Sequence, residues 1–79
     1  MIKYHKQAEK FILSQGQAAS LRLYTAIQQL PVGDVEKIQG SKKPQLYRLR
    51  VGNYRVIYYT DDNGIIVLRV DNRGDVYKK

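Results

Sequence analysis

The chain has 79 residues, a formal net charge of +7 from 14 Lys and Arg against 7 Asp and Glu, no cysteine and one histidine. Such a length makes one small domain, residues 1–79, with a thin core, and the composition excludes disulfides, thiolate chemistry and a multi-histidine zinc site. No apolar run approaches the roughly 20 residues of a membrane span and no signal peptide opens the chain, so the expected setting is the cytoplasm, with no membrane, metal or cofactor involved.

Ile2 to His5 suit a short first strand. Ala8, Phe11 and Ile12 follow at helical spacing. Ser14-Gln15-Gly16 reads as a break, with Gly16 placed to end that helix. A second helix is predicted from about Gln17 to Leu30, because Ala19, Leu23, Ala26, Ile27 and Leu30 recur on one face. Pro31 stops it. Two helices joined so closely form an antiparallel hairpin. Val32 to Pro44 is read as a connector, in which Asp34 caps a short turn containing Val35 and Ile38.

Three strands complete the pattern: Leu46–Val51, Tyr54–Thr60 and Ile65–Asp71. Gly52-Asn53 is a two-residue hairpin signal. It pairs Val51 with Tyr54, Leu49 with Val56 and Tyr47 with Tyr58, and it sets Arg50 opposite Arg55. Like charges facing each other across a sheet cost roughly 0.2–1 kcal/mol, and a bound polyanion would relieve that cost. Asp62-Asn63-Gly64 suits a three-residue loop with Gly64 in the left-handed conformation. An odd loop sets Thr60 opposite Ile66, Tyr58 opposite Leu68 and Val56 opposite Val70. It also places Arg55 opposite Asp71 and Ile57 opposite Arg69. An even loop would put Arg69 among the apolar residues.

The predicted fold class is therefore α+β. A first strand and a helical hairpin pack on one face of a small antiparallel sheet. The other face carries Arg48, Arg50, Arg55 and Arg69, with Ile57, Tyr59 and Asp71 among them, since side chains alternate with a period of two. Up to Ser41 the chain has five basic and three acidic residues, and beyond it nine and four. The excess thus lies in the strand-rich half, and it favours nucleic acid or an acidic partner. Tyr47, Tyr54 and Tyr58 have the parity of core contacts. Tyr59 shares the arginine parity and is the aromatic best placed to meet a base. Lys42 and Lys43 are a loop pair within reach of an RNA backbone. The bland alternative for the arginines is a solvated face that discourages sheet aggregation.

Two segments together resemble a known family. They are Tyr47-Arg48-Leu49-Arg50-Val51-Gly52-Asn53-Tyr54-Arg55-Val56-Ile57-Tyr58 and Asp71-Asn72-Arg73-Gly74-Asp75-Val76-Tyr77. With the order of strand, helical hairpin and connector before them, they resemble the RelE/ParE superfamily of toxins of type II toxin–antitoxin systems. The resemblance implies one of two activities. RelE-type toxins are ribosome-dependent, metal-independent endoribonucleases that cut mRNA. ParE-type toxins inhibit DNA gyrase without cleaving RNA. Both imply a cognate antitoxin as partner, and a homologue that only binds an antitoxin is a third possibility.

For the RelE-type activity the resemblance implies that Arg48 and Arg50 hold RNA phosphate. It implies that Arg55, Arg73 and Tyr77 are the catalytic set, while Tyr59 and Arg69, by strand parity, and Lys42 and Lys43, by charge, are read as secondary RNA contacts. Guanidinium forks suit a phosphate whose oxygens gain charge in the transition state. Several relatives carry a histidine just before the C-terminal arginine, where this chain has Asn72. Asparagine takes up no proton at neutral pH. Tyr77 is left to donate one, since an ordinary phenol titrates near 10.

Overall fold

A computed structural model describes residues 1–72. The order is β1 (Ile2–Tyr4), α1 (Lys6–Ser14), α2 (Gln17–Gln28), β2 (Asp34–Lys37), β3 (Tyr47–Val51), β4 (Tyr54–Asp61) and β5 (Gly64–Asn72). The strands form one five-stranded sheet in the order β1-β5-β4-β3-β2. It is antiparallel from β2 to β5, and β1 joins β5 in parallel, with Ile2 opposite Ile65 and Tyr4 opposite Val67.

Both helices cover one face of this sheet. α1 buries Ala8 and Ile12, and α2 buries Leu23 and Ile27, against Leu49, Val51, Val56, Tyr58, Val67 and Val70. Gly16, at φ 94°, makes the turn between them, a backbone conformation that a side chain would oppose. α2 ends at Gln28 rather than Leu30. The last amides turn back, with Gln29 N–H donating to the Ala26 carbonyl and Leu30 N–H to that of Ile27. Pro31 lacks a donor and disfavours helix in the residue before it. Leu30 still packs on the core. The tyrosines expected inside are there: Tyr47 stacks on Tyr58 at 5.4 Å, and Tyr54 meets Phe11 edge-on at 6.2 Å.

Two expectations are corrected. Asp34 does not cap a turn. It opens the edge strand β2, where Val35 lies opposite Leu49 and faces the core. Four residues are too few to show a strand period against the local signal of a capping aspartate, and pairing with β3 decides the matter.

The second correction concerns the β4–β5 hairpin. Arg55 faces Asp71, Val56 faces Val70 and Ile57 faces Arg69, as the odd loop required. Beyond Ile57 the pairing slips by one residue, so that Tyr58 meets Val67, Tyr59 meets Ile66, Thr60 meets Ile65 and Asp61 meets Gly64. The loop is thus Asp62-Asn63, with Asn63 N–H donating to the Asp61 carboxylate at 2.8 Å. Leu68 is the extra residue of a β-bulge. A bulge reconciles a tight turn with an apolar core, because it changes which face the strand presents partway along. Tyr58 therefore faces Val67, which is fully buried, and not Leu68. Gly64, at φ 130°, is required here, since a Cβ would sit 2.0 Å from the Met1 carbonyl oxygen.

Candidate functional face

The face away from the helices is organised in rows that cross the strands. One row runs Asp34, Arg50, Arg55, Asp71, and the next runs Glu36, Arg48, Ile57, Arg69. Arg50 and Arg55 do stand opposite each other. The fold supplies the relief itself, because a carboxylate closes each end of their row. Asp71 accepts two hydrogen bonds from Arg55, from Nε at 3.1 Å and from Nη2 at 2.9 Å, and its second oxygen lies 3.7 Å from the Arg69 guanidinium. Arg48 ion-pairs with Glu36. Arg50 is exposed, and among the described residues no ion pair forms at it.

Electrostatically this is a braced face. Asp71 and Arg55 are each 26% exposed, enough shielding for a two-pronged, charge-assisted contact to hold the guanidinium in one orientation. The bland reading of solvated edge charges does not describe Arg55. Four arginines meet three carboxylates, so the excess of positive charge on these two rows is small. A polyanion is accommodated here, and the sheet does not need one in order to pair.

The sequence-expected residues fall into two places. Arg48, Arg50, Arg55 and Arg69 share the two rows. Lys42, Lys43 and Tyr59 come together elsewhere, beside Pro44, Leu46 and Leu68, around a groove of about 600 Å³. The bulge brings Leu68 to that side. Ile57 and Ile66 are each only 9% exposed, yet neither belongs to the helix-side core, so this face has an apolar floor of its own. Arg73 and Tyr77 lie outside the described residues.

Asp34 and Glu36 were not foreseen as parts of this face. Their alternation with Val35 was the available signal, and it pointed to a strand whose outer side is acidic. Among the described residues of the two rows the groups that could take up a proton are the carboxylates of Asp34, Glu36 and Asp71, and the last two are ion-paired with arginines. The tyrosine hydroxyls pushed up by burial are those of Tyr4, Tyr24 and Tyr58, and all three belong to or pack on the helix-side core. His5 sits at the start of α1, its backbone N–H bonded to the Val67 carbonyl. Asn72 lies opposite Tyr54. Among the described residues no group of three or more His, Cys, Asp or Glu could hold a metal ion, and no helix is long and apolar enough to cross a membrane.

The family model for the ParE toxin of type II toxin–antitoxin system, parDE, matches residues 2–77. Two solved structures are similar throughout. A chain of the archaeal RelE–RelB complex from Pyrococcus horikoshii OT3 shares 34% identity, with 92% of this chain and 93% of that chain covered and a TM-score of 0.70. The RelB–RelE antitoxin–toxin complex from Methanococcus jannaschii matches at 26% identity, over 96% of this chain and 95% of that chain, with a TM-score of 0.72. No curated protein sequence matches.

Proposed function

The chain belongs to the ParE toxin family of type II toxin–antitoxin systems, within the RelE/ParE superfamily, and from that premise we propose that it is a RelE-like toxin that cleaves mRNA on the ribosome and is neutralised by an antitoxin. The observation that carries this reading is the Arg50–Arg55 pair on adjacent strands, with Arg55 locked by Asp71. Two arginines opposite each other on adjacent strands, one of them braced, suit one phosphate.

In the proposed reaction the ribose 2′-hydroxyl gives its proton to solvent water and its oxygen attacks the adjacent phosphorus. The bond to the 5′-oxygen breaks, and that oxygen takes up a proton. A 2′,3′-cyclic phosphate and a 5′-hydroxyl result. Negative charge on the non-bridging oxygens peaks between these events. Groups oriented beforehand stabilise it more in the transition state than in the ground state. Arg55 and Arg50 would meet those oxygens, and Arg48 and Arg69 would hold the flanking backbone. Arg73 would add a further guanidinium, and Tyr77 would protonate the leaving oxygen. Asn72 takes no part in proton transfer, so alignment of the 2′-hydroxyl by the ribosome would carry more of the rate.

A second reading is a ParE-like, non-enzymatic inhibitor of DNA gyrase. Two observations favour it: the family model that matches is that of the ParE toxin, and the two rows hold nearly as many carboxylates as arginines. An in vitro translation reaction with mapped mRNA ends, run beside a gyrase supercoiling assay, separates the two. New mRNA ends within ribosome-covered codons support the first. Blocked supercoiling with intact mRNA overturns it in favour of the second.

A further inference from the structure

We propose that the groove between the connector and the β4–β5 bulge receives an acidic, aliphatic segment of a partner protein, seated beside the arginine rows rather than on them. The proposal rests on the reading of this chain as a toxin held by a partner.

Three observations carry it. The groove's walls are Pro44, Leu46 and Leu68, with one aromatic, Tyr59. The neutral polar side chains beside the groove, Ser41 and Gln45, are already committed. Ser41 Oγ donates to the Ile38 carbonyl at 2.7 Å and accepts from Gln45 Nε2 and from Leu46 N–H. Gln45 Nε2 also reaches the Ile38 and Leu46 carbonyls. The remaining polar groups among the lining side chains are the Tyr59 hydroxyl and the ammonium groups of Lys42 and Lys43, and none of the three is a hydrogen-bonding fork that would read a base edge in two places. They offer an aliphatic slot.

The third observation is charge. Lys42 and Lys43 are exposed on the rim, and among the described residues neither has an ion-pair partner. The arginines, by contrast, share their rows with Asp34, Glu36 and Asp71. Charge complementarity and apolar walls together fit a segment that alternates aliphatic and carboxylate side chains. Its aliphatic groups would fill the slot, and its carboxylates would meet the lysines. One aromatic side chain among three aliphatic walls suits a peptide better than stacked bases, so Tyr59, Lys42 and Lys43 are reassigned from RNA to this partner.

Fluorescence anisotropy on the whole chain tests the proposal, with a labelled synthetic peptide of alternating leucine and glutamate as the probe. A peptide of alternating serine and glutamate is the control. The leucine peptide should bind at least about tenfold tighter, the worth of burying one aliphatic side chain. Lys42→Glu with Lys43→Glu should weaken the leucine peptide by a similar factor, and so should Leu68→Ser. Circular dichroism checks that each variant is folded. If Leu68→Ser fails to fold, the lysine pair, on an exposed loop, decides alone. Equal binding of the two peptides would overturn the proposal, because charge alone would explain it. Displacement of the leucine peptide by a single-stranded RNA oligonucleotide at physiological salt would also overturn it and assign the groove to RNA. No ribosome enters this test, so it can fail while mRNA cleavage stands, and the reverse.

Discussion

Asp71 grips Arg55 through both carboxylate oxygens, at 3.1 and 2.9 Å, on the strand opposite the one that sets Arg50 against it. Arg55 is thus held between a repulsive neighbour and an attractive one. That arrangement fixes where its guanidinium points.

A double-mutant cycle on Arg55→Met and Asp71→Leu should give a coupling of about 1–3 kcal/mol, the range for a shielded, charge-assisted pair. Urea denaturation of the four proteins measures it. Additive losses would mean that the two side chains do not constrain each other.

The same contact should matter to activity. If the chain cleaves mRNA as proposed, Arg55→Ala should lower cleavage by about a hundredfold or more, the usual cost of removing one oriented donor to a developing negative charge. Asp71→Asn keeps every arginine and raises the net charge, yet it should also slow cleavage, because Arg55 loses its brace. Single-turnover rates on programmed ribosomes separate positioning from binding. If Asp71→Asn cleaved as fast as wild type, the brace would have no catalytic role.

Glu36→Lys sets a cation opposite Arg48 on the edge strand. The cost should exceed that of Glu36→Gln by about 0.2–1 kcal/mol at low ionic strength and should shrink toward zero in molar salt, where the screening length falls to about 3 Å. Parallel urea titrations at the two salt concentrations check both statements.

Gly64→Ala combines a disfavoured φ of 130° with a Cβ 2.0 Å from the Met1 carbonyl, which accepts the Ile65 N–H at 2.9 Å. Relief of the clash requires β1 to move from β5. The loss should be at least about 2 kcal/mol, more than the glycine-to-alanine effect in an open turn. Hydrogen exchange should show the Ile65 amide losing protection first.

Burial raises the Tyr4 phenol from its usual value of 10.0 to about 12, with smaller contributions from Tyr24 and Glu9. The folded state therefore prefers the neutral phenol. That contribution to stability is complete below about pH 10 and is lost as pH rises through about 12, on the order of 2 kcal/mol. Tyr4→Phe cannot ionise and should lose less stability over the same interval. Denaturation curves at stepped alkaline pH would show the two proteins converging.

The β3–β4 hairpin was legible in the sequence because everything that defines it is local. Tyr47, Leu49 and Val51 alternate with Arg48 and Arg50, and Gly52-Asn53 sets the register, so Arg50 had to meet Arg55. The helical hairpin was legible for the same reason, apart from the last turn of α2 before Pro31. Asp71 opposite Arg55 also followed, because an apolar core requires Val56 to meet Val70. The residues near the second loop did not follow. A two-residue turn and a buried Val67 are compatible only if Leu68 bulges, and nothing local to Leu68 says so.

By itself the sequence determined the α+β class, the arginine parity, the Arg50–Arg55 confrontation and the family, since a strand period, a helix period and a turn each act over a few residues. Only the tertiary structure decided what surrounds those arginines. Asp34 and Glu36 become counter-charges because β3 recruits a four-residue edge strand across a long connector. The groove exists because the bulge turns Leu68 toward the connector. Both depend on segments far apart in the chain meeting across the sheet, and such a meeting is settled by the core they bury together.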